Sequence, residues 1–242
     1  MTPAAAFVAL LLLVAPAFAQ VDCNNGMQPI DIRAASPMSA PDFIRSVAAK
    51  EAAFAKAFAA FGYTADVSIQ TLQGDQVDGE LHQVSTVTFD TAGMRVAKAG
   101  GSPTNTLSRL KLSNKDVDSF VLAPPFALTS EMIAERDAVY SGRQQVGDHD
   151  ASVFDLLPRN ETAPLHGFAG RAWVWSGESA VLKTCGRSSS LPVGPIRYEV
   201  QRIQVAGDNW FPALIRADET TRVGDADVHV RVTVTYADYK AR

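Results

Sequence analysis

Between Tyr63 and Gln70 the chain alternates strictly: Tyr63, Ala65, Val67 and Ile69 are apolar, while Thr64, Asp66, Ser68 and Gln70 are polar. Period two with one wet face predicts a β-strand. The alternation returns near the C-terminus, where Val228, Val230, Val232, Val234 and Tyr236 interleave with His229, Arg231, Thr233 and Thr235. Between these two runs, shorter β-like stretches near 81–90, 94–98, 138–146, 151–157, 168–175, 179–187, 196–205 and 209–217 bring the expected total to about ten strands. Turn residues separate most of them: Gly74-Asp75, Asp78-Gly79, Thr91-Ala92-Gly93, Gly147-Asp148, Ser176-Gly177 and Gly207-Asp208. In "IRYEVQRIQV" the apolar phase slips by one, from Ile196, Tyr198 and Val200 to Ile203 and Val205, which predicts a bulge. "NWFPALIRA" is apolar on both faces and predicts cover on both.

One segment has helical period instead. Phe43, Val47, Phe54, Phe58 and Phe61 recur at spacings of 4, 7, 4 and 3, with Ala filling most positions between. Ser39-Ala40-Pro41-Asp42 starts the helix and Gly62 is expected to end it. Residues 100–130 break the strand rhythm with Gly-Gly-Ser-Pro, a short helical candidate in "SNKDVDSF" and Ala123-Pro124-Pro125-Phe126. The expected fold class is α+β: a curved antiparallel sheet, or half-open β-barrel. The long N-terminal helix and the short mid-chain helical segment cover its concave face.

The first twenty residues are of a different kind. Ala4 to Ala15 is an unbroken apolar run, Pro16 breaks it, and Ala17-Phe18-Ala19 has the small-x-small form of a cleavage site. The run is shorter than the ~20 residues that a spanning helix needs. A secretory signal over residues 1–19 is therefore expected, followed by a single domain over 20–242, although no Lys or Arg precedes the apolar run. Lipoprotein processing does not fit, because Asp22 rather than a small residue precedes Cys23. The net charge of −4 and the lack of a clustered basic patch argue against nucleic acid or an anionic membrane as main partners. No other run is long enough for stable membrane insertion.

The chain has two cysteines, Cys23 and Cys185. In an oxidising compartment they are expected to pair, and closing so long a loop would stabilise the fold by roughly 4–5 kcal/mol. The sharper alternative makes Cys185 a nucleophile whose thiolate Lys183 and Arg187 favour. It needs a histidine base, and none of His82, His149, His166 and His229 can be placed beside it from sequence. Asp148-His149-Asp150 sits at a hairpin tip without metal-ligand spacing, and neither a nucleophile elbow nor a phosphate or dinucleotide loop occurs. No catalytic residue, metal or cofactor is expected.

Four pieces in fixed order resemble the LolA/LolB-like fold, and most closely the bacterial outer-membrane lipoprotein-sorting proteins. "FAGRAWVWSGESAVLKTCGR" is similar to their F-x-G-R-x-W-V hairpin with a following K-T-x-G-[KR]. "NWFPALIRADET" is similar to their W-F-P-x-x-x-R-A-D element, and "APPFALTSE" and "VRVTVTYADYK" match in position. The resemblance covers most of residues 41–240. It implies a periplasmic, non-enzymatic carrier with a hydrophobic cavity for lipid or lipoprotein acyl chains, or an envelope-stress sensing, RseB-like module with an envelope protein partner. Phe43, Val47, Phe54, Phe58, Trp173, Trp175 and Trp210 are the candidate cavity residues, although buried aromatics are mostly plain packing.

Overall fold

The computed structural model describes residues 21–24, 26–36, 38–122, 128, 136–159, 168–188 and 191–242. The signal segment 1–19, the Ala123–Phe126 stretch and the Asn160-Glu161-Thr162 triplet lie outside them. In chain order the elements are α1 (Ala40–Phe58), β1 (Phe61–Gln73), β2 (Gln76–Phe89), β3 (Arg95–Ala99), β4 (Thr104–Asn105), α2 (Asn114–Leu122) and β5 (Arg136–Val146). They continue with β6 (His149–Pro158), β7 (Phe168–Trp175), β8 (Ala180–Ser188), β9 (Arg197–Gln204), β10 (Trp210–Val223) and β11 (Ala226–Ala241). All eleven strands join one antiparallel sheet, ordered β3-β2-β1-β11-β10-β9-β8-β7-β6-β5, with β4 on β2. The first and last strands of that order do not meet, so the barrel is half open.

The alternating runs behave as their pattern requires. Val67 and Ile69 pair with Val234 and Val232 across β1 and β11, and all four side chains are buried. α1 packs on β5, β8 and β10, and α2 on β1, β2 and β3. Tyr63 and Tyr236 tie α2 to the sheet by donating to the carbonyls of Val121 and Phe120, at 2.7 and 2.6 Å. Those carbonyls lie in the last turn of α2, where the helix has no acceptor-satisfying N–H of its own.

α1 starts where expected. The Ser39 side chain caps it by accepting from the Asp42 N–H, and Pro41 and Asp42 occupy the first turn. Its end differs from the expectation. The helix stops at Phe58, and Phe61 and Gly62 already belong to β1. Gly62 is needed for a different reason: a Cβ there would lie 2.6 Å from the Val87 carbonyl oxygen on β2. The glycine permits close strand approach and does not cap a helix.

The expected bulge is also displaced. β9 keeps regular register with β8, and the shift lies across from it in β10, between Pro212 and Leu214. Pro212 lacks an N–H and so suits a bulge. The phase slip in β9 has another cause. Arg202 continues the face of Tyr198 and Val200, and it reaches Glu51 of α1 at 2.5 and 2.8 Å. A charged residue takes a buried position, and the sequence pattern reads that as a slip.

The leader before α1 wraps the sheet. Cys23 and Cys185 form a disulfide with Cα atoms 5.7 Å apart, which leaves no free thiol for catalysis. Further along, Asp31 and Arg143 exchange two backbone hydrogen bonds of 2.7 and 3.1 Å on the outer edge of β5. A side chain at Gly142 would collide with the Asp31 carbonyl. Tyr140 then donates to the Ala35 carbonyl at 3.2 Å. The leader thereby covers a sheet edge that would otherwise invite pairing.

Candidate functional site

The seven candidate cavity residues do not share one surface. Phe43, Val47 and Phe58 belong to a large apolar cluster between the helices and the sheet, which spans both halves of the barrel. Phe43 stacks on Phe154 with centroids 3.5 Å apart, and Phe58 meets Tyr63 and Phe211 at 5.1 and 5.3 Å. Phe54, Trp173, Trp175 and Trp210 fall in a second, smaller cluster with Leu182 and Cys185, against which the leader's Val21, Met27 and Ile30 pack. All four α1 residues are at most 3% exposed. In this conformation α1 fills the space beneath it with its own side chains.

The tryptophans have distinct roles. Trp173 is fully buried, donates to Gln144 Oε1 at 2.5 Å, and has the Lys183 ammonium 5.0 Å from its ring centroid. Gln144 in turn donates to the Gln28 carbonyl, which links this wall to the leader. Trp175 and Trp210 stand edge to face at 6.1 Å, with the His149 ring 4.7 Å from one and 5.1 Å from the other. Three hairpins supply these rings. His149 therefore packs between aromatics, and Asp150 pairs with Arg143 at 2.9 Å. Among the described residues no group of three or more His, Cys, Asp or Glu gathers as for a metal.

Sequence reading missed the buried charges. Lys183 and Glu199 form an ion pair of 3.0 Å with both side chains at most 5% exposed. Arg216 binds the same carboxylate at 2.8 Å and Gln201 at 2.5 Å. Lys183 also donates to the Cys23 carbonyl at 2.7 Å. Burial by itself would raise the Glu199 carboxyl, but hydrogen bonds from Arg216, Gln201 and Lys183 outweigh it and hold the group below its ordinary value. Lys183 was read as a neighbour of the Cys185 thiol and Arg216 only as a motif member. Nothing in their spacing tells that Glu199 joins them.

The motif glycines have a common explanation. Gly170 and Gly186 are direct register partners on β7 and β8, and a Cβ on either would strike the other strand's backbone. Their neighbours Arg171 and Cys185 also pair, which sets the disulfide beside this close approach. Arg171 is held by Asp155 at 2.7 and 3.0 Å.

Two cavities border these residues. One of about 470 Å³ is lined by Met27, Val146, His149, Leu182, Ile203 and Trp210 among others. The second, about 410 Å³, lies over the disulfide and is lined by Arg171, Arg187, Arg197 and Asp155. Neither is lined by Phe43, Val47, Phe54 or Phe58.

No family model and no curated protein matches the chain. Solved structures do. A LolA superfamily protein from Nitrosomonas europaea is 12% identical over 85% of this chain and 94% of its own, with a TM-score of 0.37. A putative outer membrane lipoprotein-sorting protein domain from Vibrio parahaemolyticus is 10% identical over 84% and 94%, at 0.40. The MucA/MucB complex of Pseudomonas aeruginosa matches at 9% over 84% and 99%, at 0.24. The likeness is one of fold. It carries no ligand, partner or activity over to this chain. Among the described residues, no helix is long and apolar enough to cross a membrane.

Proposed function

We propose that this chain is a periplasmic, non-enzymatic binding or carrier protein that takes lipid or the acyl chains of a lipoprotein beneath α1. The observation that supports it best is the half-open sheet, whose helix-covered face is apolar from β1 through β11 to β6. α1 covers that face as a separate element, held to the sheet by contacts that include the buried Glu51–Arg202 ion pair, the Ser46–Ser179 hydrogen bond, the Arg95 guanidinium over the Phe58 ring and apolar packing. Lifting it would open a trough that favours alkyl chains by ~0.8 kcal/mol per buried CH₂. The paired cysteines fit an oxidising compartment.

Lipid extraction and native mass spectrometry of protein purified from its host test the reading, together with uptake of a fluorescent fatty acyl probe. Co-purifying lipid or saturable uptake is expected. Absence of both rules the carrier out. Recovery of one specific envelope protein, with lipid binding dispensable, would point instead to a sensing module.

A further inference from the structure

Of the six buried residues of α1, five are apolar and the sixth is Glu51. Its carboxylate takes both terminal nitrogens of Arg202 on β9, at 2.5 and 2.8 Å. This is the fork geometry in which a guanidinium holds any carboxylate or phosphate. If α1 lifts, Glu51 leaves with it, and Arg202 keeps its charge on a floor of Tyr198, Val200 and Phe211. A neutral ligand would leave that arginine without the carboxylate it now has, and taking one partner from a buried pair is costly. An anionic ligand head can restore the same two hydrogen bonds. A second cation lies near. The Arg95 guanidinium on β3 sits over the Phe58 ring, 4.7 Å from its centroid, and forms no ion pair among the described residues. Its Nη1 is buried without a hydrogen-bond partner. Phe58 is the last residue of α1, two turns beyond Glu51, so the movement that frees Arg202 also uncovers Arg95. Both cations flank the C-terminal half of the helix. The buried residues of its N-terminal half, Phe43, Val47 and Ala48, are apolar.

Given α1 as the cover of an acyl-binding trough, the reading on which this rests, we propose that the ligand is an amphiphile with an anionic head, a carboxylate or phosphate. The head takes the place of Glu51 on Arg202, with Arg95 as a second cation beside it. The alkyl chain runs along the floor toward Phe154, which Phe43 covers in the closed form. Glu51 is thus an internal substitute for the ligand's head, and it competes with that head for Arg202.

Displacement of a fluorescent fatty acyl probe from the full chain at neutral pH tests this, with dodecanoic acid, dodecyl phosphate and dodecanol as competitors. The three share one chain and differ in the head. Both anions should displace the probe at concentrations roughly tenfold or more below that of the alcohol. Equal displacement by all three overturns the proposal and leaves the carrier reading standing, whereas a probe that does not bind at all overturns both. Glu51→Leu with Arg202→Met removes the partner of the head, and there the acid should lose most of its advantage over the alcohol. An advantage that persists in full would place the head elsewhere and overturns the proposal. Glu51→Gln removes only the internal competitor and should tighten acid binding roughly threefold or more. Unchanged or weaker acid binding in that variant also overturns it. If one variant fails to fold, wild type and the other decide.

Discussion

Glu51 and Arg202 show how a single residue can contradict the local pattern and still be required. Each side chain is at most 1% exposed, and they face each other inside an otherwise apolar interface between α1 and β9. Removing one partner strands a buried charge, which costs about 3–5 kcal/mol, while replacing both with apolar groups of similar volume is often neutral. Glu51→Leu should therefore lower unfolding free energy by about that amount in chemical denaturation, and Glu51→Leu with Arg202→Met should recover most of it. Equal loss in the single and double variants would show that the pair is not buried as described. The sequence disclosed half of this. Arg202 left its trace as the apparent phase slip in β9, but a glutamate on a helix reads as solvated, so Glu51 left none.

At the level of elements, what was legible followed from periodicity, and what was hidden came from contacts distant in sequence. β1, α1 and β11 from Val228 to Tyr236 were readable because each buries one face with a regular period. The leader was legible only in its disulfide, which the two cysteines announce; its other holds, a backbone bridge at Asp31 and the bare surface of Gly142, leave no pattern. The cluster of His149, Trp175 and Trp210 was equally hidden, since three hairpins bring the rings together and no spacing connects them. Ser46 on α1 donates to Ser179 in the β7–β8 turn at 2.7 Å, so cysteines at both positions should cross-link the helix to the sheet. The cross-linked protein should lose acyl-probe uptake that the single variants Ser46→Cys and Ser179→Cys retain. Undiminished uptake would mean that α1 is not the cover. Replacing Cys23 and Cys185 by serine opens a loop of 162 residues, worth about 5 kcal/mol on the chain-entropy model. Denaturation should show a loss of that order, and limited proteolysis should cut the leader first.

For the molecule as a whole, buried ionisable groups define a window of pH. On the acid side, Glu199 and Asp155 are held below the ordinary carboxylate range, and burial opposes the shift in each. It is outweighed at Glu199 by hydrogen bonds from Arg216, Gln201 and Lys183 together, and at Asp155 by those from Arg171 and Ser141 with the Arg171 charge. Their contribution is complete above the unfolded-state value of about 4 and is lost as pH falls through the lower folded value. On the alkaline side the sign reverses. Burial pushes Tyr63 and Tyr198 up to about 12, and Tyr236 and Tyr239 are raised as well. An unfolded tyrosine loses its proton near pH 10. Between about 10 and 12 the unfolded chain releases protons that the folded chain retains, so stability falls as pH rises through that range. Thermal melting across pH should give a plateau in the neutral range with a limb on each side. Tyr63→Phe removes one of the shifted phenols along with its hydrogen bond to Val121. It should lower the neutral plateau slightly and make the alkaline limb shallower. Tyrosinate absorbance supplies the independent check: these phenols should ionise together with unfolding. Their ionisation near pH 10 in a protein that is still folded would mean that water reaches the face beneath α2, and that the barrel's interior is wetter than its packing implies.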